Sequence, residues 1–448
     1  MKTNSLMEAI LMNQKWDVGV IGGGAAGLVT AILLAQSGKS VVLLEKGKKV
    51  GGRAVSSQEK GAIFNLGPHA LYKNNAAQRV LESLESFPKG SSPKPNIHWL
   101  FSNKELVSSA RLLFGRRFNW YEKRQLISFI INLRKMDVEK LAGISWRDHL
   151  TNMGISGEGR SLLEAMGRLT TYGGNPDQLD AGLTISQLQK SIIYPDYGWQ
   201  TIVDRLVKKA KEVGVQLILD AGVTGVQRKE GEGWSIVTKH DLYQVEQVVV
   251  ATNPTQMFTW FEQWLPNAYK QQLGQLENLT VSCLDLHLRK LPFPSRTFAL
   301  GTNEPLYLSV HSQWAKLTES SSAVVHVMRY DNGKDNDQEL IKETLEEFLD
   351  LVQPGWREEV IFQRYIPRLI VSHASPTPTI KGTLDRPDVY TGIPGVFAVG
   401  DWVGQEGILL DASMASAEEV AKRINSNLVE QGWMNHGSRS SIPYNSVV

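Results

Sequence analysis

The sequence predicts an α/β protein with a parallel sheet assembled from distant segments, and an inserted α+β region with a mostly antiparallel sheet. Three observations predict this fold class. An apolar run, a glycine cluster, an apolar helix and a second apolar run follow one another over residues 16–44. Similar short apolar runs return near residues 216, 247 and 396. The stretches between these runs alternate apolar with polar residues, as the strands of antiparallel sheets do.

The first of these observations is a βαβ unit. Trp16–Ile21 is predicted as a strand that ends in glycines, Ala25–Ser37 as an apolar helix stopped by Gly38, and Ser40–Leu44 as a second strand. The strands are apolar throughout rather than alternating. This pattern is typical of a parallel sheet that is covered on both faces.

The later apolar runs extend the same sheet. Gln216–Leu219, Gln247–Ala251 and Val396–Val399 each lie near a predicted helix or a glycine turn. We therefore expect one domain built from three separate segments with two insertions between them. The predicted first domain comprises residues 1–75, 198–257 and 390–430, the insertions are 76–197 and 258–389, and 431–448 is a tail rich in Ser and Asn.

The insertions show a different pattern. Leu284–Leu288 alternates leucine with Asp285 and His287, and Ser322–Tyr330 is another strand-like run. Asp337–Val352 has the period of an amphipathic helix. The insertions are therefore predicted to form a mixed α+β substrate domain.

Composition excludes some classes of protein. Among the 448 residues, Lys and Arg number 48 and Asp and Glu number 46, so no strong positive field exists to hold nucleic acid. The single cysteine, Cys283, excludes an intramolecular disulfide and a cysteine-based metal site on one chain. We expect no metal centre and a reducing, cytoplasmic location.

Neither an export signal nor a membrane span is expected. Val18–Leu34 is apolar, but its glycine cluster is not typical of a spanning helix. Residues 1–16 lack the apolar core of a signal peptide.

A phosphate-binding fingerprint lies between the first strand and helix. Gly22, Gly24 and Gly27 fit G-x-G-x-x-G with Ala26 inside it, and Glu45 ends the next strand. In this motif the glycines permit a tight turn, close approach of a pyrophosphate and close helix–strand packing. The Glu45 carboxylate suits a ribose diol and would repel a 2′-phosphate, which disfavours NADP. The alternative is a glycine turn without a ligand.

Two further motifs narrow the choice between NAD and FAD. Gly52 can pass close to a pyrophosphate, and Arg53 offers it a guanidinium group. Near the other end, Gly400-Asp401 follows a short strand, which suits a carboxylate that accepts hydrogen bonds from ribityl hydroxyls. Taken alone, Asp401 is more simply interpreted as a strand-to-turn residue.

Together these motifs resemble the flavoprotein superfamily of monoamine and polyamine oxidases, protoporphyrinogen oxidase and phytoene desaturases. The segment Tyr194–Trp199 and the ending Gly400–Gly404 resemble the desaturase branch most. The resemblance implies a p-hydroxybenzoate-hydroxylase-type FAD domain. It also implies noncovalent FAD, since the amine oxidases that attach FAD covalently use a C-terminal cysteine and none follows Cys283. The implied FAD contacts are Gly22, Gly24, Ala26, Glu45, Gly52, Arg53, Val223, Gly400 and Asp401.

The resemblance also identifies two segments near the flavin ring. Asn65–His69, which contains Gly67, resembles the segment that passes over the isoalloxazine, so His69 is a candidate proton acceptor. The other interpretation of His69 is a packed, hydrogen-bonded histidine. Ile408 and Asp411 lie where the final helix of such proteins points at the flavin. Asp411 departs from the small residues expected there and is alternatively the N-cap of that helix.

The sequence leaves two interpretations for each of two groups that contain aromatic residues. Tyr172, Tyr197 and Trp199 are either walls of a substrate cavity or core residues. Arg111–Lys135 holds seven basic residues and one acid among aromatic and aliphatic side chains. It suits either peripheral contact with a membrane surface or a solvated basic helix face.

The expected function is FAD-dependent removal of hydride from a C–H bond of a hydrophobic or amine-bearing small molecule. No second G-x-G-x-x-G unit follows a strand, so we expect oxygen, a quinone or another carrier to reoxidise the flavin rather than NAD(P)H to reduce it. An amine oxidase or a protoporphyrinogen-oxidase-like enzyme remains an alternative. A non-catalytic binding protein of the GDP-dissociation-inhibitor type is the alternative of another class, and the oligomeric state stays open.

Overall fold

The computed structural model describes residues 15–94, 96–229, 233–319, 321–331 and 337–426; the predicted tail 431–448 lies outside the described residues. The strands are β1 Lys15–Ile21, β2 Val41–Leu44, β3 Ser56–Glu59, β4 Ala62–Asn65, β5 Leu71–Tyr72, β6 Gly90–Ser91, β7 Ile97–Leu100, β8 Leu106–Ser108, β9 Ile192–Pro195, β10 Gln216–Ile218, β11 Val223–Lys229, β12 Gly233–Thr238, β13 Leu242–Val250, β14 Leu279–Leu288, β15 Phe298–Gly301, β16 Leu306–Val310, β17 Ala323–Tyr330, β18 Val360–Ser372 and β19 Val396–Ala398. The α-helices are α1 Ala25–Gln36, α2 Ala76–Ser83, α3 Ser109–Phe114, α4 Trp120–Asn132, α5 Trp146–Asn152, α6 Gly157–Thr171, α7 Ala181–Leu188, α8 Gln200–Glu212, α9 Pro254–Phe261, α10 Asn267–Gly274, α11 Gln338–Val352 and α12 Leu410–Asn425.

The first sheet joins strands from three distant parts of the chain. Its order is β10-β2-β1-β13-β12-β11, and β19 pairs with β13. Strands β10, β2, β1, β13 and β19 are parallel, whereas β11 and β12 pair antiparallel beside them. Val18 and Val20 in the middle of β1 are fully buried. The apolar runs predicted from the sequence thus share one sheet, and their lack of alternation reflects burial on both faces.

Helix α1 follows β1 and packs against α8 and α12. Its Leu28 and Ile32 are fully buried in the core around the first sheet. The absence of a side chain at Gly27 permits close packing, because a Cβ there would lie 2.0 Å from the Gly22 carbonyl oxygen. The predicted role of Gly27 in helix–strand packing fits this geometry.

The second sheet is mostly antiparallel, as predicted. Its order is β18-β14-β17-β16-β15-β7-β8, and only the β15–β7 pair is parallel. Helix α11 covers one face, where Leu284, Leu286 and Leu288 pack with Phe348. The opposite face of β14 is buried too, since Asp285 is 0% exposed. The alternation in β14 therefore does not mark a solvent-facing side.

Two predicted domain boundaries fall within or beside helices that pack in the core around the first sheet. The boundary at 257/258 falls inside α9, whose Met257 and Phe261 pack in the core around the first sheet. The boundary at 75/76 separates α2 from the same core, although Val80 and Leu81 of α2 are buried there. The apolar residues of a short helix give no sign of which sheet they cover, so the sequence pattern could not assign α2 and α9 to this core.

Candidate active site

The carboxyl ends of the parallel strands bring the predicted site residues to one edge of the first sheet. Gly22 follows β1, Glu45 follows β2, Thr252 follows β13 and Asp401 follows β19. In open α/β sheets, ligands bind outside the carboxyl ends of the strands. The four positions come from parts of the chain up to several hundred residues apart, and the fold makes them neighbours.

Two glycine segments form a cradle at this edge. Gly51 N donates to Gly23 O at 2.7 Å, and Gly24 and Gly51 form an isolated parallel bridge. A Cβ on Gly52 would lie 3.3 Å from the Gly24 Cα, whereas a Cβ on Gly24 would meet open space. The space above Gly24 lies at the N-terminus of α1, beside Ala26, where backbone N–H groups favour an anion. The geometry fits a pyrophosphate.

Glu45 is held by backbone N–H groups on both of its oxygens. Oε2 accepts from Gly23 N and Oε1 accepts from Gly47 N, each at 2.7 Å. A carboxylate oxygen can accept a second hydrogen bond, so a ribose diol can still bind. Ala221 N donates to Glu45 O at 2.9 Å and so brings Val223, the first residue of β11, beside Glu45.

Asp401 is buried and has one oxygen without a partner. Its Oδ2 accepts from Arg53 Nη1 at 2.8 Å and from His373 N at 3.2 Å. Its Oδ1 has no hydrogen-bond partner among the residues that the structure describes. Burial raises the pKa of Asp401, but the pairing with Arg53 outweighs it and the net pKa lies below the ordinary value. An ionised, buried acceptor with a free lone pair fits a ribityl hydroxyl group.

Arg386 fixes the loop that carries Asp401, and no sequence motif pointed to this residue. The side chain is 3% exposed and donates from Nη1 to Asp401 O at 3.0 Å, from Nε to Gly404 O at 2.8 Å and from Nη2 to Gly407 O at 2.9 Å. Burial lowers the pKa of Arg386 to about 10. Gly400, which precedes Asp401, has a φ of 146° and thus a conformation that glycine favours.

The structure does not support the alternative interpretation of Asp411 as the N-cap of α12. Helix α12 begins at Leu410 after Ile408, which is 5% exposed, and Asp411 lies in the first turn rather than at the N-cap. Its carboxylate accepts instead from Asn75 Nδ2 at 2.7 Å and from Ala77 N at 3.2 Å. Asp411 therefore caps α2, which explains the departure from a small residue.

His69 lies against Trp199 and keeps a neutral ring. Its Nδ1 is 3.2 Å from Gly67 O, and its ring meets the edge of the Trp199 ring at a centroid distance of 5.1 Å. Burial lowers the pKa of His69 to about 4. Gly67 has a φ of 75°, and a Cβ there would lie 3.0 Å from Cys283 Sγ. The segment thus runs directly over β14.

A buried charge cluster lies behind this segment, and the sequence analysis did not find it. Asp285 Oδ1 lies 2.6 Å from His326 Nδ1, and Asp285 Oδ2 accepts from Arg364 Nε at 2.9 Å. Arg364 also donates to Asn65 O and, at 3.0 Å, to Ser57 Oγ. Burial raises the pKa of Asp285, but His326 and Arg364 outweigh it and the net pKa is lowered. The cluster ties the second sheet to the 65–69 segment.

An apolar cavity of about 240 Å³ adjoins the same segment. Pro68 forms part of its wall, and Tyr172 Oη donates to Pro68 O at 3.2 Å. Tyr197 is 57% exposed and does not line the cavity, and Trp199 is buried in the core around the first sheet. The lining residues are Pro68, Ala70, Tyr72, Pro93, Ile97, Met166, Leu169, Thr170, Tyr172, Gln187, Leu188, Lys190, Ile192, Tyr194, Phe298, Tyr307, His311, Met328 and Tyr330.

Polar atoms interrupt the apolar wall of the cavity, chiefly tyrosine hydroxyl groups and the side chains of Gln187, Lys190 and His311. Tyr307 Oη donates to Ser309 Oγ at 2.6 Å and lies 3.4 Å from His311 Nε2. Lys190 Nζ is 3.5 Å from Asp411 Oδ2, so one residue of the cavity wall contacts the first turn of α12. Among the residues that line it, Lys190 carries a positive charge and none carries a carboxylate.

The glycine cradle, the Glu45 carboxylate and the buried acceptor at Asp401 fit a protein of the FAD-dependent oxidoreductase class. Comparison with known proteins agrees. The chain belongs to the flavin-containing amine oxidoreductase family, whose family model matches residues 25–425. This membership confirms the predicted FAD cofactor and the predicted class of enzyme, and it disfavours a GDP-dissociation-inhibitor-type binding protein.

Individual relatives and solved structures that this chain resembles differ in the activities that their names state. The chain is 26% identical over 275 residues to a carotenoid 3,4-desaturase of Haloarcula japonica, a match that covers 52% of this chain and 55% of that protein. An oxidoreductase from Methanosarcina mazei shares the fold with a TM-score of 0.74 at 17% identity and covers 91% of this chain and 100% of its own. A putrescine oxidase bound to putrescine has a TM-score of 0.73 at 17% identity over 92% of this chain and 99% of its own. The chain thus spans about half the length, or less, of the curated relatives it matches.

Among the residues that the structure describes, no helix combines the length and the apolar character needed to cross a bilayer.

Proposed function

We propose that this protein is an FAD-dependent dehydrogenase that removes hydride from a C–H bond of an apolar, unsaturated small molecule. The cavity beside residues 65–69 carries this proposal. Its wall is mostly apolar and aromatic, and it adjoins both His69's segment and the start of α12 through Pro68 and Lys190. An apolar substrate would lie there with its reacting carbon near the cofactor.

The cofactor-binding part of the proposal is a Rossmann-like, p-hydroxybenzoate-hydroxylase-type domain built on the first sheet. The second sheet and helices α3–α7 would form the inserted substrate domain, with the boundaries shifted to leave α2 and α9 in the FAD domain. The residues proposed to hold FAD are Gly22, Gly24, Ala26, Gly27, Glu45, Gly52, Arg53, Gly67, Val223, Gly400, Asp401 and Ile408.

Bound FAD supplies the hydride acceptor. Loss of two hydrogens from a carbon–carbon bond also releases a proton, which a base must take. His69 is the proposed acceptor because it lies between Pro68 and Ala70, which line the cavity, and because its ring is neutral at ordinary pH and can therefore take a proton. The tyrosine and apolar walls would exclude water from the reacting carbons.

Amine oxidation is the second candidate, and the charges of the cavity disfavour it. The tyrosine rings of the wall could face a protonated amine, but the lining offers no carboxylate to pair with it and the Lys190 ammonium group would repel it. Here the charged group on the wall is Lys190, and the carboxylate nearest to it, Asp411, already accepts from Asn75 and Ala77. The putrescine oxidase comparison supports a common fold and not a common substrate.

Anaerobic bleaching of the bound flavin tests this proposal. A conjugated polyene hydrocarbon, a diamine, a monoamine and NADPH are each mixed with the purified protein, and the loss of the flavin's visible absorbance is followed. We expect the polyene to bleach the flavin and oxygen or a quinone to restore its colour. Faster bleaching by an amine or by NADPH would refute the proposal.

A cavity-filling variant supplies the matched control. Leu169→Trp would fill the cavity, whereas Leu219→Trp changes a leucine that is 42% exposed on the surface. Bleaching by the polyene should slow by about tenfold or more in the first variant and stay unchanged in the second, since the lost contacts are those of the substrate.

A further inference from the structure

The outward face of α4 is apolar, which is the reverse of an ordinary surface helix. Trp120, Ile127 and Ile131 lie on one face at helical spacing and are 76%, 49% and 64% exposed. The inward side of the helix carries Phe129, which is 2% exposed and packs in the core of the inserted region. Helix α4 thus has two apolar faces: one packs against the protein, and the other is exposed.

The end of α3 extends this face. Leu113 is 57% exposed and Phe114 is 89% exposed, and both precede α4 by a short connection. Seven of the sixteen large hydrophobic residues that are exposed in the described part of the chain fall between residues 113 and 131. We call the following set the outer apolar patch: Leu113, Phe114, Trp120, Tyr121, Ile127, Ile130 and Ile131. Such a concentration marks an interaction surface.

Exposed basic residues lie among and beside the outer apolar patch. Arg116, Arg124, Arg134 and Lys135 are exposed. The one acid between residues 111 and 135, Glu122, is engaged in the capping box of α4, where its Oε2 accepts from Asn119 N at 2.9 Å. A patch of aromatic and aliphatic side chains with basic neighbours complements an interface of acyl chains and anionic headgroups.

We propose that the outer apolar patch docks on the surface of a bilayer that contains anionic lipids. A second copy of the chain is a poorer partner, because a two-fold contact would bring the same basic residues, such as Arg124, towards each other. A bilayer offers the opposite charge and an apolar phase for Phe114 and Trp120 together.

The patch also lies on the outer side of the cluster that walls the cavity. Leu112, on the inward side of α3, is 5% exposed and packs in the same hydrophobic cluster as Ile97 and Phe298, which line the cavity. A bilayer at the patch would therefore bring its acyl phase close to the cavity wall, where an apolar substrate dissolved in it could pass to the site.

Vesicle flotation of the full chain with its flavin tests the proposal. We expect the protein to float with phosphatidylcholine vesicles that contain phosphatidylglycerol, and to bind pure phosphatidylcholine vesicles more weakly by about tenfold. The patch variant Phe114→Ser, Trp120→Ser, Ile131→Ser should lose binding by at least about tenfold. The control variant Leu219→Ser, Leu340→Ser, Leu384→Ser removes exposed leucines elsewhere and should float like the wild type.

Flavin content shows whether each variant is folded. If the patch variant loses flavin, the variant Arg124→Gln, Arg134→Gln, Lys135→Gln replaces it and should lose binding to anionic vesicles. Wild-type protein that floats with neither vesicle, or patch and charge variants that float unchanged, would overturn the proposal. Concentration-dependent dimers that only the patch variant abolishes, with no flotation, would assign the face to a second copy. Flotation needs no substrate, so its outcome is independent of the proposed reaction.

Discussion

Arg53 and Asp401 are 348 positions apart in the sequence, yet Arg53 Nη1 donates to Asp401 Oδ2 at 2.8 Å. The pair joins the first and last segments of the proposed FAD domain. Asp401 is almost fully buried and Arg53 is partly exposed, so the pairing holds a carboxylate charge inside the protein while one of its oxygens stays free. We therefore expect FAD binding and the contact between these two segments of the chain to depend on the same ion pair.

Substitution Asp401→Asn tests that dependence. The amide keeps the size but loses the charge that Arg53 compensates, and hydrogen bonds to charged groups contribute about 1.5–3 kcal/mol. We expect the dissociation constant for FAD to rise by about ten- to a hundredfold, measured by flavin content after dialysis. The control Asp388→Asn changes a surface carboxylate paired with Arg423 and should retain flavin fully. Equal flavin content in both variants would remove Asp401 from the site.

Two glycine substitutions separate cofactor binding from folding. A Cβ on Gly24 meets no protein atom within 4 Å, whereas a Cβ on Gly27 would lie 2.0 Å from Gly22 O. Gly24→Ala should therefore leave the melting temperature of the flavin-free protein unchanged and prevent FAD binding, because the methyl group would occupy the pyrophosphate space. Gly27→Ala should lower that melting temperature. Normal flavin binding by Gly24→Ala would contradict the cradle assignment.

Loss of the Asp285 charge is expected to destabilise the fold. Asp285→Asn leaves Arg364 without its carboxylate, and removal of one partner from a buried pair costs about 3–5 kcal/mol. The free energy of unfolding, measured with urea, should fall by about 3 kcal/mol. Asp137→Asn is the control, since solvent screens the exposed Asp137–Lys140 pair and its loss should leave the free energy of unfolding nearly unchanged. A similar small loss in both variants would show that the cluster is not a stabilising element.

The pH profile of the reaction reports on His69. Because burial lowers its pKa to about 4, the ring is neutral well below the pH at which an ordinary histidine is protonated. The value of kcat/KM for a bleaching substrate should stay flat as pH falls through about 6.5 and should decline only near about 4. In His69→Gln, the rate should fall by about a hundredfold or more and that decline should vanish. A decline near neutral pH that persists in the variant would assign proton transfer to another group.

The parallel sheet and the glycine cradle could be predicted because their signals are local. Gly22 to Glu45 form one continuous strand–helix–strand unit, in which apolar runs and glycines determine the backbone path. The pairing of Arg53 with Asp401 was not predicted, although both residues were named, because each was assigned directly to the cofactor. A sequence pattern gives no distance between two segments that meet only in the fold.

The charge cluster shows a second reason for failure. In the second sheet, Asp285 is in register with His326 on one neighbouring strand and with Arg364 on the other. The register of strands that lie far apart in the sequence is set by packing on both faces of the sheet. In the sequence, the alternation of Asp285 with leucines resembles a strand with one solvent-facing side. Arg386 lies in no recognisable sequence motif, so its role in holding the Asp401 loop could not be predicted.

A single-turnover experiment tests the central claim most directly. Purified protein with bound FAD is mixed anaerobically with an equimolar conjugated polyene, and the product is analysed by mass spectrometry while flavin absorbance is recorded. The account predicts one product molecule, lighter by two hydrogens, for each flavin that loses its colour. An unchanged polyene, with flavin bleached instead by an amine that becomes an imine, would contradict it.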